Sequence, residues 1–590
     1  MQFFSLRDLR RNTLLSVAGT ALVACGGSDG AGSVVEAPLP QLSAAVGVTF
    51  SGSCPGLQAA FAKLGNTQIT AAETVADGVL SVGGKPIGEH CRVTGKMHER
   101  TSAVDGNVYA IGFEMRLPKN WNGRFLYQGN GGLDGSVVTA TGATGGGPLT
   151  HALLQGFAVL SSDAGHASPT PNFGVDPQAR LDYGYQAVAK LTPMAKTAIS
   201  LTYGKGPDRS YIAGCSNGGR HAMVAAARYY ADYDGVLAGA PGYNLPKAAV
   251  ANLAGARLYQ SVATSTVTGH VSLATAFTDA ERQLVSDRVL AKCDALDGAT
   301  DGMVQDVTAC QAAFKPATDI ASCTGARDGS CLSAAQKTVL ARIFSGPTTS
   351  DGRLIYSTFP FDAGFGAGKA GVATAGGSTA ATGVASWEFS ASLDRDPGAT
   401  GIVFKVPPEN PATFNPLAFA LTTDIDALYA GITATNATYT ESAMSFMTPP
   451  NPTKMSGLRS RGGKIIVYHG VSDPIFSVDD SEAWYKGASS DTGSNFARFY
   501  RVPGMGHCSG GPATDQFDML TPLVNWVEKG TAPADIVASA RGKGNAGGVN
   551  ADLPGSWAAD RSRPLCAYPK LARYNGSGSL ESASSFSCKE

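Results

Sequence analysis

A serine hydroxyl becomes a nucleophile only where the chain turns sharply enough to expose it beside a base. Gly214-Cys215-Ser216-Asn217-Gly218 has the form such a turn requires. In a nucleophile elbow a strand runs directly into a helix and leaves the serine hydroxyl at the sheet edge. A side chain at Gly214 or Gly218 would crowd that turn, which holds the serine in an unusual backbone geometry. The pattern alone is weak, because the chain contains 73 glycines and Gly26-Gly27-Ser28-Asp29-Gly30 matches it as well. Context separates the two: Ser216 follows the β-type run Tyr211-Ile212-Ala213 and precedes the helix-favouring stretch Arg220 to Tyr230, whereas Ser28 sits in low-complexity sequence.

The serine needs a neutral imidazole within hydrogen-bond reach to take its proton. In the chain order of α/β-hydrolases the acid and then the histidine follow the serine, which leaves His221, His270, His469 and His507. His221 falls on the helix after the elbow, His270 in an irregular middle region, and His469 before its acid. His507, in Pro503-Gly504-Met505-Gly506-His507, follows a strand-like run on a glycine loop able to reach back over a sheet. Asp473, reached from the strand Lys464 to Tyr468 through His469-Gly470-Val471-Ser472, is the expected acid, whose task is to fix the imidazole tautomer and stabilise the imidazolium. The competing pair Asp479 and Asp480 reads as a solvated helix start. The oxyanion hole is expected from the backbone N–H of Asn217 and that of Gly132, in Gly129-Asn130-Gly131-Gly132, with Gly131 beside the substrate. An ordinary glycine turn is the alternative.

These residues need a scaffold, and the sequence around them supplies one. Strand candidates are Tyr109 to Leu117, Arg124 to Tyr127, Phe157 to Ser161, Ser210 to Gly214, Gly235 to Ala238, Gly463 to Tyr468 and Ala497 to Val502. Helical spacing runs from Leu181 to Tyr203, interrupted at Pro193, and from Phe517 to Glu528. The expected fold class is α/β: an α/β-hydrolase core with a mostly parallel sheet flanked by helices, in two parts (46–242 and 457–590), around a large inserted lid domain (243–456). No internal repeat is found.

With 46 basic and 47 acidic residues the chain has no basic excess for a phosphate backbone, so nucleic acid is not an expected partner. Arg7, Arg10 and Arg11 precede the apolar run Thr13 to Ala24, too short to span a membrane and typical of an export signal, residues 1–25. Leu22-Val23-Ala24-Cys25 resembles the bacterial lipobox, which implies a lipid anchor at Cys25 with residues 26–45 as a flexible tether. The expected location is a bacterial cell envelope (outer membrane or periplasm), or secretion; cleavage at an ordinary Ala-rich site is the alternative. The anchor is the only membrane contact expected, and the chain is expected to be a monomer.

Removing Cys25 from eleven cysteines leaves ten. Proximity suggests Cys54 with Cys91, Cys293 with Cys310, Cys323 with Cys331 and Cys566 with Cys588, which leaves Cys215 and Cys508. That last pair flanks Ser216 and His507, so a working triad would bring the two thiols together. Two separate buried thiols are the alternative.

With the elbow, the aspartate and the His-Cys loop in place, the chain resembles the tannase and feruloyl esterase family from about Cys54 to Cys588. The matching stretches are Ala238 to Lys247, Cys293 to Phe314, Tyr468 to Asp473, Val502 to Gly511 and Phe517 to Gly530. The cysteines next to serine and histidine are its most specific mark. The resemblance implies the lid insertion, the pairing of the ten cysteines and a structural Ca²⁺ held by Asp294, Asp297 and Asp301 with main-chain oxygens of Ala299 and Met303. Without it, those residues read as a solvated acidic turn; the spacing is not an EF-hand. The resemblance also implies aromatic pocket walls at Trp387 and Phe404, and an arginine in the lid that holds a free substrate carboxylate, for which Arg395 is the one candidate between them. No organic cofactor is expected. The function expected is a serine carboxylesterase acting on a small aromatic ester, either a half-ester of the mono(2-hydroxyethyl) terephthalate type or a feruloyl or galloyl ester. An aromatic-binding lipoprotein without catalysis and a lid-gated lipase are the rivals.

Overall fold

Strands buried on both faces read as continuous apolar runs, and the centre of this protein is built from such runs. A computed structural model describes residues 38–590 apart from 148, 265, 268, 269, 375, 376 and 380. The expected signal segment, Cys25 and the first part of the tether lie outside the described residues. One nine-stranded sheet is made of β1 (Thr67–Val75), β2 (His90–Thr101), β3 (Val108–Pro118), β4 (Arg124–Gly129), β5 (Ala158–Ser162), β6 (Arg209–Cys215), β7 (Gly235–Gly239), β8 (Lys464–Gly470) and β9 (Ala497–Val502). Its spatial order is β9-β8-β7-β6-β4-β5-β3-β2-β1. The six strands from β9 to β5 are parallel, and β3, β2 and β1 follow antiparallel.

All seven expected strands are present within a residue or two of their expected ends. The sequence reading missed β1 and β2, whose polar residues alternate with buried ones such as Cys91, Val93 and Met97. Such half-exposed antiparallel strands lack the unbroken apolar signal of the parallel ones.

Alternation along the parallel strands divides the core between the two faces. Ile212, Val236, Ile465 and Val467 pack into one layer, with α1 (Ala187–Tyr203) and α2 (Asn217–Arg228). Tyr211, Leu237, Ile466 and Tyr468 pack into the other, against α3 (Leu520–Lys529). Pro193, expected to interrupt α1, lies inside it; its ring is on the exposed side, where a helix can bend outward at little cost. Between β7 and β8 the chain leaves the sheet for residues 240–463, a region of two longer helices (Leu245–Gln260 and Asp279–Cys293) among short helices and π-helical turns.

The described end of the expected tether is not free. Gln41 Nε2 donates to Val527 O at 3.1 Å, Ala45 N to Glu528 Oε2 at 2.9 Å and Val46 N to Asp208 Oδ2 at 2.8 Å. Residues 41–46 are therefore fastened to α3 and to the start of β6 rather than flexible, because a side-chain amide and two backbone N–H groups find carbonyl and carboxylate acceptors there.

Glu528 is the anchor of that seam. Arg124 donates to it from Nε at 2.7 Å and Nη2 at 2.6 Å, and the Tyr211 hydroxyl donates at 2.7 Å. Burial works to raise its pKa, but hydrogen bonds from Arg124, Ala45 and Tyr211 outweigh burial and hold it below the ordinary glutamate range. Because the folded value lies below the unfolded one, this stabilisation is complete above the ordinary range and is lost as pH falls through the folded value. Glu528→Ala strands a half-buried arginine and should cost about 3 kcal/mol in urea unfolding at neutral pH. The deficit should shrink in acid.

Candidate active site

The C-terminal ends of adjacent parallel strands are where open α/β sheets place their chemistry. Gly132 follows β4, Ser216 follows β6, Asp473 follows β8 and His507 follows β9. The turn at Ser216 has φ +65° and ψ −126°, a strained conformation for a residue with a side chain. A Cβ at Gly218 would lie 2.2 Å from Gly129 O, and one at Gly214 would lie 2.5 Å from the same oxygen. Both glycines are thus required by the close approach of β4 to the elbow.

Ser216 Oγ lies 2.7 Å from His507 Nε2, and His507 Nδ1 lies 2.7 Å from Asp473 Oδ2. All three residues are buried. Asp473 Oδ1 accepts from the backbone N–H of Ile475 at 2.9 Å and of Phe476 at 3.1 Å, which fixes the carboxylate plane. Burial pushes the Asp473 pKa up, but the neighbouring His507 and hydrogen bonds from His469 and His507 prevail and hold it well below the usual carboxylate range. His469 has its own partners: Nδ1 meets Ser481 Oγ and Nε2 meets Phe476 O, each at 2.8 Å. Its Nε2 also lies 3.3 Å from Asp473 Oδ2, so it buttresses the aspartate.

All ten cysteines described are paired as their spacing and the resemblance indicated. Cys215 and Cys508, with Cα atoms 6.0 Å apart, join the serine turn to the histidine loop across 293 residues of sequence.

The Asn217 backbone N–H, at the first helical position of α2, has no acceptor within its own helix. Gly131 O accepts from Asp134 N at 3.2 Å, and in a trans peptide this turns the Gly132 N–H the opposite way. Ser216, Asn217 and Gly132 line one small cavity of about 20 Å³, and Arg395 and Phe476 line it too. A Cβ on Gly131 would be 3.9 Å from Ser216 Cβ, so that residue also borders Ser216.

A larger cavity of about 60 Å³ is lined by Asp473, Trp387, Glu388 and Tyr259, and Ser216 does not line it. The smaller cavity is the one the serine faces. Asn252 lines both.

Trp387 stands edge-on to the His507 ring with centroids 4.6 Å apart, and Phe476 does the same at 5.3 Å. The Arg395 guanidinium lies 5.5 Å from the Trp387 ring, and its Nε donates to Asp396 Oδ1 at 2.8 Å. Phe404 is a correction. It is completely buried in the hydrophobic core at the end of a π-helical turn and lines neither cavity. Asp479 and Asp480 do begin a helix, but Asp480 is not solvated: it is buried, accepts from Asn244 and Tyr243, and burial pushes its pKa up to about 6. Phe476, Asn252 and Asp396 were missed. The signal for Asn252 was present, since it is a lone amide in the apolar run Ala248 to Leu253.

In the acidic loop, Asp294 accepts from the N–H groups of Asp301 and Gly302, and Asp297 Oδ1 from that of Ala299. Asp301 pairs with Arg563. Asp297 Oδ2 is buried without a hydrogen-bond partner, and burial, then the charges of Asp301 and Asp294, push this carboxyl up to about 7. The turn is therefore not simply solvated. Among the described residues no three His, Cys, Asp or Glu side chains are grouped to hold a metal, so a cation here would depend on main-chain oxygens.

The fold and site define an α/β protein whose serine, histidine and aspartate form one hydrogen-bonded chain at the strand ends. Residues 91–589 match the family model described as tannase and feruloyl esterase, and the chain belongs to that family of esterases. It is 40% identical over 532 residues, 85% of each chain, to mono(2-hydroxyethyl) terephthalate hydrolase of Piscinibacter sakaiensis. It is 28% identical to a probable feruloyl esterase B-1 of Neosartorya fischeri, over 80% of this chain and 82% of that one. Among solved structures, feruloyl esterase B from Aspergillus oryzae superposes with a TM-score of 0.68 at 25% identity, covering 90% of this chain and 100% of that one. Tannin acyl hydrolase from Aspergillus niger, at TM-score 0.64 and 20% identity over 90% of this chain and 94% of that one, shares the fold.

A cross-link closing so long a loop restricts the unfolded chain by up to about 5 kcal/mol and also fixes the two loops that carry Ser216 and His507. Cys215→Ser/Cys508→Ser should therefore lower the melting temperature and cut ester turnover in the protein that remains folded at 25 °C. Turnover of the folded fraction is the measurement.

Proposed function

We propose that this chain is a serine carboxylesterase that cleaves esters of aromatic carboxylic acids through an acyl-serine intermediate. The observation that carries the reading is the unbroken chain from Ser216 Oγ through His507 to Asp473, 2.7 Å at each step. Ser216 Oγ attacks the ester carbonyl carbon as His507 Nε2 takes the hydroxyl proton. The oxygen that gains the charge is met by the N–H groups of Asn217 and Gly132. His507 then gives its proton to the departing alcohol; water, its proton taken by His507, next attacks the acyl carbon, the bond to Ser216 Oγ breaks to release the acid, and His507 returns the proton to Ser216. Ionised Asp473 holds Nδ1–H and stabilises the imidazolium.

Residues 243–456 act as the lid in this reading, and contribute Trp387 and Arg395 to the site. The half-ester substrate is supported by the likeness to a mono(2-hydroxyethyl) terephthalate hydrolase and by a guanidinium in the serine's cavity. One observation favours a phenolic ester instead: Arg395 is already paired with Asp396, which leaves the cavity less attractive to a free carboxylate. Values of kcat/KM for mono(2-hydroxyethyl) terephthalate, methyl ferulate, methyl gallate and an aliphatic ester separate the two, and the half-ester should lead. Ser216→Ala should lose at least about a thousandfold on every one of them and on a p-nitrophenyl ester. Undiminished turnover rejects the triad.

Structural Ca²⁺ belongs to the same reading, held by Asp294, Asp297 and Asp301 with the main-chain oxygens of Ala299 and Met303. The unpartnered buried oxygen of Asp297 and the mutual repulsion of these carboxylates support a cation there. When bound it would supply positive charge to a disulfide-closed loop, remote from the proton path. EGTA should lower the melting temperature, and added Ca²⁺ should restore it; a melting temperature indifferent to both contradicts the site. Export, acylation at Cys25 and a monomeric state complete the proposal, and the lipobox-like Leu22 to Cys25 supports the anchor.

A further inference from the structure

Asp134 and His221 are buried beside the elbow, and the proton path uses neither. Asp134 belongs to the turn that carries Gly132; His221 lies one helical turn after Asn217. A single carboxylate oxygen, Asp134 Oδ2, accepts from Asn217 Nδ2 at 2.8 Å and meets His221 Nε2 at 2.9 Å. Arg220 Nε donates to Asn217 Oδ1 at 2.6 Å, so the amide is gripped from both ends. The same guanidinium donates to Tyr183 O at 2.9 Å and Gly184 O at 2.7 Å, while the Tyr183 hydroxyl donates to Gly132 O at 3.1 Å. His221 Nε2 faces Asp134 Oδ2, and Arg220 Nη2 lies 3.3 Å from its Nδ1 and 3.2 Å from its Nε2.

The two N–H groups of the oxyanion hole come from separate segments, the turn after β4 and the start of α2. Their spacing has to be held to a fraction of an ångström for both to reach one oxygen. We propose that Asp134 is a positioning residue that clamps these segments together through the Asn217 side chain, and so sets the separation of the Gly132 and Asn217 N–H groups. His221 and Arg220 hold the clamp's two members in register. This inference rests on the serine-esterase reading, which Ser216→Ala tests on its own.

A clamp on the oxyanion hole acts on the transition state and leaves substrate binding nearly unchanged. Asn217→Asp keeps the backbone N–H and the shape but sets a carboxylate against Asp134. In that variant kcat for a p-nitrophenyl ester should fall about a hundredfold with KM within about twofold, because a displaced oxyanion donor costs that much. Inhibition by benzeneboronic acid, a tetrahedral mimic, should weaken in step, while inhibition by benzoate stays as in the wild type. Adding Asp134→Asn removes the repulsion and puts an amide NH2 where the shared oxygen was, one hydrogen for the new carboxylate and one for His221 Nε2 in its other tautomer, and should bring kcat back to within about tenfold of wild type. A kcat for Asn217→Asp near the wild-type value overturns the proposal, as does a folded double variant as slow as the single one. Should Asn217→Asp fail to fold, the double variant decides alone: near-normal kcat supports the clamp, and a hundredfold loss or a failure to fold contradicts it.

Discussion

The near contact of β4 with the elbow constrains everything else in this site. Gly129 O sits so close to Gly214 and Gly218 that neither tolerates a Cβ, and the turn between them forces Ser216 to positive φ. That strain is held by its surroundings: Ser216 N donates to Gly239 O at 3.0 Å, and Arg220 N donates to Ser216 O at 3.0 Å. The result is a hydroxyl fixed at the sheet edge before any substrate arrives, with Asn217 delivered to the helix start as an unsatisfied N–H.

Three further strand ends converge on that point, each with a different physical device. The histidine loop is tied covalently through Cys215 and Cys508. The aspartate is held by two backbone N–H groups and flanked by His469, so its charge is stabilised where burial alone would neutralise it. The turn that carries Gly132 is tied by a buried polar cluster, which in a low-dielectric interior specifies one arrangement only if every member is satisfied. Residues 240–463 contribute little to the proton path and much to its walls, through Trp387 and Arg395.

How much of this could be read in advance follows from the kind of signal each part leaves. The parallel strands were legible because burial on both faces makes their central residues apolar; β1 and β2 were not, since β2 is buried on one face only and β1 hardly at all. Ser216 and His507 were legible because glycine spacing and the adjacent cysteines marked both loops. Trp387 was expected as a pocket wall by resemblance alone, and Phe404 failed because its stretch runs through a π-helical turn that buries the ring in the core. Asp134 and His221 have no spacing that links them, and only the fold brings the two together. Asp297 showed in sequence as one acid of several; its orphaned oxygen exists only in three dimensions.

The central claim is that one serine, made reactive by His507, does the chemistry. Stoichiometric labelling with a fluorophosphonate followed by peptide mass mapping tests it most directly, since the probe requires an activated hydroxyl. The account predicts a single adduct on the peptide containing Ser216, abolished by His507→Ala and retained, more slowly formed, in Asp473→Asn. An adduct on any other serine, or full labelling of Ser216 without His507, would contradict it.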